Sequence, residues 1–182
     1  MNGMSNFIWH VLGVRWLILH DARIIHRDVK PENCLLCADG QCKLSDMGWA
    51  KKLTVPSKTY TAVGTLAYMA PEVMNGAGHE FSADLWSLGV MAYELMCGHL
   101  PPSSGREINV HAHAPWTSFF ESLCRTCPSD RLQAVALRQH SWLHGIDISS
   151  PTFAPLRRVE GSLPAEAPVI DVAVPSGVFD GF

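Results

Sequence analysis

Apolar positions early in the chain, Phe7, Ile8, Val11, Leu12, Ile18 and Leu19, recur at the three-and-four spacing of a helix face. The run 7–19 is interrupted by His10 and Arg15 and is shorter than the roughly 20 apolar residues that cross a bilayer. It also lacks the basic start and small-residue cleavage site of a secretory signal, so it predicts a buried helix ending near His20. The polar run His-Arg-Asp-Val-Lys-Pro-Glu-Asn at 26–33 contains a proline and reads as a loop. Short apolar segments at 34–36 and 42–44 bracket Asp39-Gly40, a hairpin signal. The stretch 51–64, rich in Thr, Ser and Lys, predicts a long loop of the kind usually retained for function.

Helical periodicity returns over 82–97, where Leu85, Leu88, Met91, Ala92 and Leu95 mark the apolar positions. Gly98 stands in the C-cap position, and Pro101-Pro102 ends the element. Shorter helical patterns follow at 119–124 and 132–143. From Ser149 onward the chain carries Pro151, Pro155, Pro164, Pro168 and Pro175 without periodicity, which predicts an extended tail. The chain therefore divides into a folded unit at 1–148 and a tail at 149–182.

Composition narrows the classes. With 47% hydrophobic and 17% charged residues, the 182-residue chain is globular rather than disordered. A net charge of −3 gives no general attraction to nucleic acid or anionic membrane. Six cysteines, single or loosely paired and with no secretory signal, favour a reduced cytoplasmic or nuclear setting. His111 and His113 flank one alanine without further ligands nearby, so a metal site is not expected there. Cys124 and Cys127 form a lone CxxC without a second pair and read as core or incidental cysteines.

Two motifs carry chemistry: the run at 26–33, and Ser-Asp-Met-Gly at 45–48. Together they resemble the catalytic loop and metal-binding motif of eukaryotic-type protein kinases, with Met47 in place of the usual phenylalanine. Downstream, Gly-Thr-Leu-Ala-Tyr-Met-Ala-Pro-Glu at 64–72 resembles the end of a kinase activation segment, and 84–98 resembles the large helix of the C-terminal lobe. Lys30 and Thr65 match serine/threonine rather than tyrosine kinases. The stretches 57–65 and 78–90 are similar to the AGC group, closest to cyclic-nucleotide-dependent kinases, and the tail is similar to the AGC C-terminal tail.

The resemblance implies a mainly α fold with small β-hairpins, a kinase C-terminal lobe, and it implies roles. Asp28 accepts or orients the substrate hydroxyl proton, and Lys30 neutralises the moving phosphoryl group. Asn33 and Asp46 supply hard oxygen ligands for Mg²⁺, and Leu35 and Ser45 lie under or beside the adenine of ATP. Glu32 and Glu94 receive basic residues before the Ser/Thr of a protein substrate. Thr65, Ala62, Leu66 and Met69 shape the substrate pocket, with Leu66-Ala67 replacing the family's Pro-Glu. Thr61 is the expected activating phosphorylation site for an upstream kinase, with Arg27 and Lys51 to receive the phosphate. Asp84 hydrogen-bonds the catalytic-loop backbone, and Glu72 pairs with Arg131. No glycine-rich loop, strand lysine or partner glutamate precedes the catalytic loop, so the N-terminal lobe is expected to be absent and ATP binding by the lone chain weak. An apolar patch near Leu35, Leu44 and Met47 is then expected to face solvent. The alternative is a docking module built on the same C-lobe surface.

Overall fold

The computed structural model describes residues 19–36, 42–54, 58–102, 115–137 and 139–143. The helix expected over 7–19 is described only at its end, which is helical through Asp21. The Asp39-Gly40 turn, His111, His113 and the tail at 149–182 lie outside the described residues. In chain order come β1 (Ile24–Ile25), β2 (Cys34–Leu36), β3 (Cys42–Leu44), β4 (Lys51–Lys52), α1 (Pro71–Met74), α2 (Ser82–Cys97), α3 (Pro115–Leu123) and α4 (Ala134–Leu137), with single 3₁₀ turns between. Among the described residues, no helix is long and apolar enough to cross a membrane.

Two antiparallel strand pairs bracket the loop at 26–33. β1 pairs with β4, Ile24 opposite Lys52, and β2 pairs with β3, Cys34 opposite Leu44. The loop is thus clamped at both ends by backbone ladders before any side chain acts.

Helix α2 is the keel. As expected of a central buried helix near 82–96, burial runs through Ala83, Asp84, Leu85, Ser87, Leu88, Gly89, Val90, Met91, Ala92 and Tyr93, so the helix is enclosed nearly all round. Leu88 and Met91 meet Val29, Tyr68, Phe119, Leu123 and Leu137 in the main core. Burying each such large apolar side chain favours folding by about 1.5–3 kcal/mol. A second cluster, Ile25, Leu53, Ala70, Val73 and Ala83, joins β1 and α1 to the start of α2. Gly89 lets α2 and α3 approach closely: a Cβ there would lie 2.6 Å from Cys124 Sγ. Gly98 ends α2 in the left-handed conformation at φ 76°, its N–H bonding Glu94 O at 2.7 Å.

The helix expected across 132–143 is instead two pieces, α4 and a 3₁₀ turn at Ser141–Leu143. The bend brings the rings of His140 and Trp142 onto Phe119, at 5.4 and 4.7 Å between centroids. Apolar periodicity there reported which side chains are buried, not an unbroken helix.

Candidate active site

The site is built upward from Asp84, in the first turn of α2 and only 1% exposed. Its Oδ2 accepts from the His26 N–H at 2.8 Å and from His20 Nε2 at 3.0 Å, and its Oδ1 accepts from the Arg27 N–H at 2.9 Å. Arg27 is left-handed at φ 72°, a conformation that costs a non-glycine residue about 1–2 kcal/mol. The buried carboxylate offsets that strain by capturing the two adjacent amides. His26 ties the loop to the second motif: the Asp28 N–H donates to Nδ1 at 3.3 Å, which leaves Nε2 to donate to Ser45 O at 3.1 Å.

Asp28, 6% exposed, sits at the centre. Its Oδ1 accepts from the N–H of Thr65 at 2.9 Å and from its hydroxyl at 2.8 Å. Its Oδ2 meets Lys30 Nζ at 2.9 Å and accepts from Asn33 Nδ2 at 3.0 Å. Lys30 Nζ also donates to Thr65 Oγ1 at 2.7 Å. Burial, the largest single influence, pushes the Asp28 carboxyl up. The donors Lys30, Thr65 and Asn33, with the charge of Lys30, together outweigh it and hold the group below the ordinary carboxylate range. Such a carboxylate orients a hydroxyl and takes its proton late rather than stripping it early.

Asn33 spends its amide donors on Asp28 O, at 2.8 Å, and on Oδ2, leaving its carbonyl oxygen as the atom for a cation. Ser45 donates through both its N–H (2.8 Å) and its hydroxyl (3.0 Å) to Asn33 O, which fixes the spacing of the two motifs. Asp46 is exposed and left-handed at φ 58°, its carboxylate accepting from the Gly48 N–H at 3.3 Å. Among the described residues no group of three or more His, Cys, Asp or Glu gathers to hold a metal. One amide oxygen and one exposed carboxylate do suit Mg²⁺, which takes few protein ligands and completes its shell with water and phosphate.

Thr65 enters the centre because Gly64 precedes it at φ 106°, and a Cβ at Gly64 would fall on the Arg27 carbonyl oxygen. Gly76 has a similar left-handed φ of 64° with nothing within 4 Å of a Cβ. Gly76→Ala is expected to lose about 1–2 kcal/mol from backbone strain. Gly64→Ala should lose about 1–3 kcal/mol more from the clash. Urea unfolding of the two variants measures the difference.

Glu72 and Arg131, 59 positions apart, form a bidentate pair at 2.6 and 2.7 Å. Of the expected substrate-facing acids, Glu32 is exposed, and Glu94 Oε2 accepts from the Tyr68 hydroxyl at 2.5 Å. Burial first, then Glu94 and then Glu32, drive the Tyr68 phenol above its ordinary pKa, so both acids lie near one phenol.

Of the residues expected to shape the substrate pocket, Ala62 and Leu66 are exposed, whereas Met69 packs inward on the cluster of Ile25, Leu53 and Val73. Arg27 and Lys51 are not on Thr61, which is exposed. Arg27 Nε donates to Trp49 O at 2.5 Å and Lys51 Nζ to Thr59 Oγ1 at 3.3 Å. Of the expected solvent-facing patch, Leu35 is 53% exposed, but Leu44 is half-buried against the main core and Met47 is half-buried as well.

Sequence reasoning missed His20, His26 and Tyr68, whose side chains reach Asp84, Ser45 and Glu94, 64, 19 and 26 positions away. A polar ring at the end of an apolar helix, as at His20, is the one signal that pointed to a buried acceptor.

A loop pinned by a helix carboxylate, an aspartate held by Lys30, Asn33 and Thr65, and the Glu72–Arg131 pair make up the frame of the site. The protein kinase domain family matches residues 3–143, and the chain belongs to the protein kinase family, on its serine/threonine branch. Rat cGMP-dependent protein kinase 2 is 39% identical over 154 residues, covering 71% of this chain and 20% of the relative. The cGMP-dependent protein kinase egl-4 of Caenorhabditis elegans is 34% identical over 177 residues, covering 84% of this chain and 23% of the relative. In Drosophila melanogaster, the cGMP-dependent protein kinase isozyme 2 forms cD5/T2 are 39% identical over 150 residues, 70% of this chain and 16% of the relative. The chain thus spans about a fifth of the length of these relatives.

Proposed function

We propose that this chain forms the catalytic-loop and substrate-positioning half of a serine/threonine kinase that transfers the γ-phosphoryl group of ATP to proteins with basic residues before the Ser/Thr. The observation that carries this reading is the Asp28 carboxylate, held by Lys30, Asn33 and Thr65 in a pocket that also depresses its pKa. A surface that only docked partners would have no use for a carboxylate so furnished. Asn33 and Asp46 would hold Mg²⁺, which when bound neutralises charge on the phosphate oxygens. Leu35, half-exposed on β2, and Ser45 would form one wall for the nucleotide. A nucleotide with one wall stays hydrated, and water weakens its charge contacts. The lone chain is therefore expected to bind ATP weakly and to gain activity when joined behind the N-terminal lobe of a cGMP-dependent relative.

The basic preference rests on Glu32 and Glu94, two acids beside Tyr68. In the joined protein, a serine peptide with arginines at the second and third positions before the serine should outpace its alanine counterpart. Glu32→Gln with Glu94→Gln should cut kcat/KM for the arginine peptide about tenfold or more, as expected when a charged partner of a guanidinium is removed. Equal loss on both peptides would remove the acids from substrate selection.

Thr61 is the proposed activating site, supported by its exposure and by its place two residues after Thr59, whose hydroxyl accepts from Lys51 Nζ. Burial lowers the Arg27 guanidinium pKa, and Asp84 only partly restores it, so this cation lacks full charge compensation. A phosphate on Thr61 would supply it and draw Arg27 and Lys51 together. Phosphorylated protein should be more active than Thr61→Ala; equal rates would reject the site.

A further inference from the structure

Lined by neither Asp28 nor its partners Lys30, Asn33 and Thr65, a cleft of about 630 Å³ lies within the size range of small-molecule sites. Its walls come from the ends of separate elements: Arg23 before β1, Lys58 in the long loop, His79 before α2, Phe81 and Leu85 at the start of α2, and Val135 on α4. Arg23 and Lys58 are exposed and have no ion pair among the described residues, and the unpaired carboxylate facing them is Glu80. Glu72, also on the wall, is neutralised by Arg131. His79 is 3% exposed, yet among the described residues neither ring nitrogen has a hydrogen-bond partner, and the ring lines the cleft. The ring nitrogens are not sealed from water: among the described residues the one buried side-chain polar atom without a partner is Thr117 Oγ1. Phe81, Leu85 and the 80%-exposed Val135 add apolar surface to the same lining.

We infer that this cleft is a second ligand site, independent of phosphoryl transfer, for an amphipathic oxyanion: a carboxylate or phosphate group on an apolar body. The head group meets Arg23, Lys58 and the His79 ring, and the body lies along Phe81, Leu85 and Val135. Lys58 adjoins Thr59, and the Thr59 backbone pairs with His79 at 2.9 and 2.8 Å. The ligand thereby grips both sides of the bridge that fastens the activation segment to the rest of the fold.

Proton linkage follows from the same geometry. Burial first, then Arg27, hold the His79 pKa below the ordinary histidine value; Glu72 and Asp84 pull it up, and Lys51 pushes it down. On the cleft side, Arg23 and Lys58 add positive charge, Glu80 adds negative charge, and the His20 Nε2 is given to Asp84. An oxyanion beside the ring favours its protonated form, so binding takes up a proton and tightens as pH falls.

The test uses the whole 182-residue chain, following the histidine Cε1–H resonances by NMR, with the His79 signal assigned by its loss in His79→Gln. Benzoate and phenyl phosphate are titrated as the two oxyanion sources, with benzamide and benzylamine as neutral and cationic controls. The expected result is a saturable shift of the His79 signal with one or both anions and at least tenfold weaker binding of both controls. Arg23→Gln combined with Lys58→Gln, two exposed side chains, should weaken anion binding tenfold or more without altering the thermal transition. Benzoate should bind more tightly at pH 6 than at pH 8. A His79 signal that does not move, a shift confined to His26, benzamide binding as well as benzoate, or full affinity in the double variant would each overturn the site.

Discussion

In the protein completed by a relative's N-terminal lobe, Asp28→Asn is expected to slow peptide phosphorylation by about 10²–10⁴-fold, with ATP affinity little changed. The substitution keeps the shape of the side chain but replaces one acceptor oxygen with a donor. Oδ1 can still accept from Thr65, whereas the new amide must face the two donors that now converge on Oδ2, Lys30 Nζ and Asn33 Nδ2. Lys30 loses its anchor and the substrate hydroxyl loses its acceptor, so the damage falls on the chemical step. Steady-state kinetics and ATP calorimetry separate the two effects, and unchanged turnover would take Asp28 out of the mechanism. A stability signature should accompany the loss. The folded-state pKa of Asp28 is depressed, so its contribution to stability is complete above the unfolded value of about 3.9 and disappears as pH falls through the folded value. Asp28→Asn should remove that acid-dependent component.

Arg131→Met is expected to destabilise the fold by about 3–5 kcal/mol, because it leaves Glu72 buried without its partner. For a domain of this size, that corresponds to a fall in Tm of about 6–20 °C. The guanidinium has several further roles: it donates to Ser82 O and Arg125 O, both at 2.8 Å, and its Cζ stands 5.1 Å from the Trp86 ring centroid. Methionine replaces its packing but none of its donors. Adding Glu72→Leu should recover part of the loss, since an apolar pair of similar volume avoids the stranded charge. Calorimetric unfolding of the single and double variants decides this, and a single-variant loss below about 1 kcal/mol would show that the pair is dispensable.

The parts of the site that were legible in the sequence are those whose chemistry is written in adjacent residues. Asp28, Lys30 and Asn33 fall within one run, and Asp46 follows in a second, so their convergence needed only two loops to meet. Asp84 and the Glu72–Arg131 pair were legible through family likeness rather than through any local pattern. The left-handed Arg27 was not legible, because nothing in an arginine announces a positive φ; the requirement comes from two amides aimed at one carboxylate. The closeness of Thr65 to Asp28 was likewise hidden, since it depends on Gly64 passing against the Arg27 backbone. The enclosure of α2 was legible in its density of apolar residues, with Leu85, Leu88, Met91, Ala92 and Leu95 within three turns.

The pinning of the catalytic loop by Asp84 has a consequence for the newly made chain. His26 and Arg27 leave the ribosome 58 and 57 residues ahead of the carboxylate that positions them. Arg131, which locks Glu72, follows later still. The loop is therefore translated before the groups that place it, and a nascent chain that stops short of α2 holds the run at 26–33 without the carboxylate that pins it. The geometry of the loop is in this way withheld from copies that stop short of α2.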